Sequence, residues 1–392
     1  MALFKRNKSS YEISSMKRTR VPVFHRFWGA AILAALFIGF PLGSWIWSVL
    51  NGIVDNAAFY GELRSVHLTV QVFVFFGLFV AGFALQSGAH VLGGSPPRSE
   101  QVIWICPLIL LGVLLRCIPS ADIQVAGNAV ITVGNLWLLF VMVRTALGGD
   151  KTRLIPIASL FVIGFIVLAA APWLDISDAP KAFFVLWSGV FLIVLAAGQQ
   201  LIANVLGAKR FSQAGGAIFI INALASVAAL GLTVFTEARL SQISGILMAL
   251  TLISYIFFLG IIPALIKTGF TSLVIAFVCN SLWAMVIAFS LIFADPAWDA
   301  LVHILALGGI TTMIIAVGAR VLGFFSGRVA LSEGALTLLI LGWQLVPLFR
   351  GSQLFDLRSL FFIFWLELLF SLWAILCFKR VLKVMNPDEA DK

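Results

Sequence analysis

From His67 to Gln86 the chain reads HLTVQVFVFFGLFVAGFALQ, twenty residues without one Asp, Glu, Lys or Arg. At a helical rise of about 1.5 Å per residue such a run spans about 30 Å, the thickness of a bilayer's hydrocarbon core. It is apolar on every side, with neither the alternation of a strand nor the single stripe of a surface helix, so it suits lipid or a wholly buried position. Comparable runs flank it along the whole chain. The set is 27–50, 66–86, 101–117, 122–143, 154–172, 182–206, 215–236, 241–266, 269–293, 300–319, 330–349 and 359–378, twelve in all. With 61% hydrophobic residues, 11% charged residues and a mean hydropathy of +1.07, too little polar material remains to coat a soluble globule.

The expected fold class is therefore all-α, a polytopic membrane protein with about 12 transmembrane helices in one bundle. Its domains are a basic tail at 1–24, the transmembrane domain at 25–380 and a short tail at 381–392. Basic residues resist translocation and collect on the cytoplasmic side. With an inside amino terminus, six of the 26 Lys and Arg fall outside, namely Arg64, Arg116, Lys181, Arg239, Arg350 and Arg358, and the other 20 inside. That asymmetry predicts a bacterial inner-membrane protein with both termini cytoplasmic. It also accounts for the net charge of +9 through anionic lipid, so the bilayer and not nucleic acid is the partner. The first apolar run is too long for a signal h-region, and retention of the amino terminus is expected. Cys106, Cys117, Cys279 and Cys377 fall in or at the ends of helices without a CxxC, and read as packing residues.

Chemistry must then be sought among polar residues at membrane depth, where each costs a few kcal/mol unless something satisfies it. Of the four histidines, His25 lies at the edge of the first helix and His90 in the loop SGAHVLGGSPPRSE, both read as solvated or interfacial. His67 and His303 stand near the starts of the second and tenth helices, which both begin outside. Two imidazoles at one level suit axial ligation of one b-type haem, and equally two unrelated histidines bonded to backbone carbonyls. Arg64 and Arg116, on the same outer side, suit either propionate pairing or interfacial snorkelling. Gln71 follows His67 by four residues and could orient a ligand. Gly308 and Gly309 would either admit a flat macrocycle or allow close helix packing. Glu367, the one carboxylate deep in a span, reads as a protonated glutamate bonded to a neighbouring helix, ahead of a proton-relay role.

The segment HILALGGITTMIIAVGARVLGFFSGR, from His303 to Arg328, resembles the signature of the NnrS family, haem- and copper-containing membrane proteins tied to nitric oxide stress and denitrification. The matching positions are His303, Gly308, Thr312, Met313, Arg320, Gly327 and Arg328. The stretch from His67 to Gln86 is similar to the family's HxHEM helix, with Ala81, Gly82 and Phe83 in register. The resemblance implies haem, a role in nitric oxide tolerance or respiratory electron transfer, and respiratory or denitrification membrane proteins as partners. Departures are plain. Thr69 and Val70 replace the second histidine and the glutamate, Phe325 replaces a histidine, and Gln199 and Gln200 stand where Gly-Arg and proline are usual. The family's copper is thus expected to lack a site of several histidines here.

A looser likeness to haem-copper oxidase catalytic subunits also implies low-spin haem ligands on helices two and ten. Residues 182–206 and 215–236 carry no histidine, so a binuclear oxygen- or nitric-oxide-reducing centre is not expected, and whether the protein is an enzyme stays open. Two alternatives stand beside this expectation: a twelve-helix secondary transporter, which predicts related halves that are not evident, and a cofactor-free assembly or scaffold protein.

Overall fold

The structure is a computed structural model. It describes residues 24–352 except for 51–58, 93–94, 96, 149–154, 177, 207, 209–210, 237–239, 269–270 and 326–330, together with Leu369, Phe370, Leu372 and Trp373. Among the described residues there is no strand. Among the described residues nine helices are long and apolar enough to cross a membrane: α1 His25–Leu50, α2 Tyr60–Gln86, α3 Ser99–Arg116, α4 Ala121–Leu147, α6 Ala179–Gln199, α7 Gln213–Phe235, α8 Ser241–Phe258, α9 Ser272–Phe293 and α10 Trp298–Arg320. Two shorter apolar helices, α5 Ala158–Trp173 and α11 Glu333–Leu348, fall on the fifth and eleventh predicted runs. The protein is an all-α, multi-pass membrane protein. Most of the twelfth run, Glu367 and Cys377 included, lies outside the described residues, as do both tails but for Phe24.

Length and hydropathy do not distinguish these helices, but burial does. In α2, α6 and α10 the apolar stretch is 94%, 89% and 89% buried, against 28% to 39% in the other six. Three helices therefore form the centre, and antiparallel neighbours such as α3 with α4 and α7 with α8 pack around them. Large apolar side chains of the outer helices, Phe37, Phe140, Phe257 and Phe293 among them, face outward, where a hydrocarbon solvent carries no penalty for them.

The centre departs from regular α-helix in an ordered way. Ala35–Gly39 in α1, Val70–Leu78 in α2, Leu186–Phe191 in α6 and Ile304–Thr311 in α10 are π-helical, and they touch in series, α1 to α2 to α6 to α10. Such widened turns are rare and concentrate at functional sites. Each contains glycine. In α2 a Cβ on Gly77 would lie 3.0 Å from the Val72 carbonyl oxygen five residues back, a tight approach that glycine relieves. In α1 the π turn precedes Pro41, whose missing N–H already interrupts the ladder. In α10 the Thr311 and Thr312 hydroxyls donate to the Ala306 and Leu307 carbonyls at 2.8 and 3.3 Å, and Trp343 Nε1 donates to Leu307 at 2.8 Å. Side chains so satisfy carbonyls around the irregular turn.

One local expectation needs correction. His90 is not in a loop, because the helical backbone of α2 continues through Leu92 before the Gly-Gly-Ser-Pro-Pro stretch ends it.

Candidate functional site

The π segments surround the ends of α1, α2, α6 and α10 that carry a cavity with about 1110 Å³ of empty space, its open mouth included. α1 contributes Phe40, Gly43 and Trp47 to the wall, α2 Tyr60, Arg64, His67 and Gln71, α6 Ala182 and Leu186, and α10 Asp299, His303 and Leu307. His67 and His303 lie seven and five residues from the starts of their helices, about 10 and 8 Å down the axis. The two histidines from distant parts of the chain thus share one cavity.

Each imidazole is held by its Nδ1. His67 Nδ1 donates to the Gly39 carbonyl at 2.8 Å, and His303 Nδ1 to the Asp299 carbonyl at 2.7 Å. A carbonyl oxygen only accepts, so Nδ1 carries the proton and Nε2 keeps the lone pair in the neutral ring. One such bond fits a histidine with no further duty. Here two such rings stand in one cavity wall, each oriented by its Nδ1 bond, and metal-binding histidines are commonly fixed by a bond of that kind at the other nitrogen. Gly43 gives His67 its room, since a Cβ there would meet the ring Cε1 at 2.8 Å.

The cavity is largely apolar, with a few convergent polar groups. Gln71 is buried against Gly39, and its Oε1 has no hydrogen-bond partner among the described residues. An unsatisfied buried amide oxygen on a cavity wall is costly unless a ligand or water meets it. At the mouth, Asp299 Oδ1 lies 3.9 Å from Arg64 Nη2 and Oδ2 lies 3.7 Å from His303 Nδ1. With side chains 32% and 45% exposed, the Arg64–Asp299 pair contributes only ~0–1 kcal/mol to stability. It places charge beside the histidine more than it holds helices together. Asp299 was not singled out by the sequence, although its position four residues before His303 puts both on one helical face.

The other predicted residues lie elsewhere. Arg116 does not line the cavity. Its guanidinium donates to Thr69 Oγ1 at 3.4 Å, to Asn128 Oδ1 and to the Pro172 carbonyl, tying α3 to α2, α4 and α5. Gly308 and Gly309 face away from the cavity wall: a Cβ on Gly308 would meet Trp283 at 2.7 Å, and one on Gly309 would meet Asn280 Oδ1 at 3.1 Å. They serve close packing of α10 on α9. Arg320 lies about 25 Å from His303 along the axis of α10. There it pairs with Glu333 at 2.8 Å and donates to Ser272 Oγ at 3.2 Å. Met313 lines a second, wholly apolar hollow with Phe79, Phe83 and Ala197, further along the same three central helices.

His25 stands edge-on to Trp28, away from the cavity. Cys106 donates weakly to the Arg26 carbonyl at 3.9 Å, and Cys106 and Cys117 are both free thiols. Among the described residues no three of His, Cys, Asp or Glu converge as a metal cluster.

None of the curated proteins matches the chain closely enough to count as a relative. The family model described as NnrS protein matches residues 25–386, and the chain belongs to that family.

Proposed function

We propose that this membrane protein holds one b-type haem in the cavity between α2 and α10, with His67 and His303 as its axial ligands. The observation that carries the reading is the pair of imidazoles on one cavity wall, each oriented by a bond from Nδ1 to a carbonyl. The residues fit the group in three further respects. The wall is mainly apolar, Gln71 Oε1 awaits a partner, and Arg64 at the mouth is a cation suited to a propionate. Bound there, the haem supplies one-electron chemistry at its iron. The protein's part is to orient both rings, exclude water through Phe40, Leu186 and Leu307, and hold charge at the mouth. With the family's association, this supports a role in nitric oxide tolerance, denitrification or respiratory electron transfer. The charge asymmetry supports a cavity near the periplasmic face of a bacterial inner membrane. A copper site of several histidines does not fit the donor set of the described residues.

The test is spectroscopic. Purified protein should show a Soret band and the pyridine haemochrome of one b haem per chain. His67→Ala and His303→Ala should each strip it or leave a weakly held five-coordinate form, while His25→Ala leaves the spectrum unchanged. Colourless wild-type protein, or His67→Ala with an unaltered six-coordinate spectrum, overturns the assignment.

A further inference from the structure

We infer that the apolar hollow in the half of the central helices away from the histidines is a binding site for a small, uncharged, apolar molecule of the size of a diatomic gas. The inference is independent of the haem reading. The hollow lies between α2, α6 and α10 and has about 440 Å³ of empty space, its open side included. α2 brings Phe79, Val80 and Phe83 to the wall, α6 Ile193 and Ala197, and α10 Met313. Every described residue that lines it is apolar, and the Met313 sulfur, a weak acceptor, is the best hydrogen-bonding group any of those side chains offers. Water needs two or more polar partners to stay, and a space of this kind remains dry.

An acyl chain of the bilayer has the same chemistry as a dissolved gas, and the position of the hollow decides between them. Phe79, Ile193, Met313 and Ile314 are each at most 4% exposed, and they stand on the three helices that form the centre of the bundle. An acyl chain is tied to a headgroup at the interface and meets the rim of a bundle first. A free molecule that partitions into hydrocarbon carries no such tether and passes between packed helices. The room itself comes from small residues, Ala197 and Gly198 of α6, where a larger side chain would close the gap. The walls of a void forfeit dispersion contacts, and an apolar occupant restores them. Phe76 of the histidine cavity and Phe79 of the hollow are three residues apart on α2, so a molecule held here waits about 5 Å along the axis from that cavity.

The probe is xenon, which enters dry apolar cavities and makes no hydrogen bonds. Crystals of the full-length protein under xenon pressure should show an anomalous peak in the hollow, and the purified protein in nanodiscs should give a saturable shift of the xenon resonance. Ala197→Leu fills the space and should abolish both signals while raising the melting temperature. Leu338→Ala, at a side chain 73% exposed on α11, should leave both signals unchanged. If Ala197→Leu does not accumulate, Val194→Phe closes the same space from one turn away. No peak in the hollow, undiminished binding in the filled variant, or density for a lipid or detergent chain there overturns the inference. A crystal peak without a solution shift that Ala197→Leu removes is binding at crystal concentration only, and overturns it too. Colourless protein that binds xenon in the hollow overturns the haem assignment and leaves this inference standing.

Discussion

At the scale of single residues, the glycines sort the cavity from the packing around it. A Cβ at Gly43 would collide with the His67 ring at 2.8 Å, whereas one at Gly308 would collide with Trp283 and Pro347, outside the cavity. Gly43→Ala should therefore displace the imidazole and weaken or abolish the haem spectrum, with little change in melting temperature. Gly308→Ala should do the reverse, costing about 1–3 kcal/mol of overpacking while the spectrum of the folded fraction stays normal. Absorption and thermal unfolding of the two variants decide it, and equal effects on both readouts would show that the wall and the packing layer are not separate. The histidines were legible in the sequence because imidazole is rare at membrane depth and His67 and His303 fall at matching distances from their helix starts. Asp299 was not. A carboxylate at the second residue of a helix looks interfacial, and only the fold brings Arg64 of α2 beside it.

At the scale of helices, the family-like stretch of α10 separates into parts with different physical duties. His303 faces the cavity, Gly308 packs on α9, Thr312 donates to a carbonyl of the π segment, and Arg320 pairs with Glu333 at the far end. A spacing that reads as one motif is thus mostly the construction of an irregular helix, and this is why Gly308, Gly309 and Arg320 looked like site residues without being near the site. Thr311 tests that account. Its hydroxyl donates at 2.8 Å to the Ala306 carbonyl, next to the cavity residue Leu307. Thr311→Val keeps the shape, removes the donor and should cost about 1 kcal/mol, while Thr311→Ser should restore most of it. Thermal unfolding of the pair is the measurement, and a valine variant as stable as the wild type would mean the π turn does not need its side-chain donor. The π segments themselves were not legible, since nearly every residue around them is apolar and no periodicity survives to be interrupted.

At the scale of the whole molecule, what the sequence established was the solvent, and what it left open was which helices avoid it. The apolar runs predicted crossings, and the described helices coincide with eleven of the twelve. The division into three central and several peripheral helices carries no hydropathy signal, because lipid and protein interior are equally apolar. Orientation remains a matter of charge. Reporter fusions after residues 55 and 175 should report periplasm, and fusions after 98 and 150 cytoplasm, as the segregation of Lys and Arg requires. The opposite pattern at two or more sites would turn the cavity mouth to the cytoplasm.

The irregular turn in α2 also sets a phase. A π turn carries one residue more than an α turn, so it sets the remainder of the helix back by about 100°. On an unbroken helix Phe79 would stand about 120° around from His67, and with the extra residue it comes round to about 20°. The histidine cavity and the apolar hollow beyond it, where Phe79 and Phe83 stand, are thereby stacked along a single side of one helix. A helical wheel drawn straight through Val70–Leu78 would assign them to different neighbours.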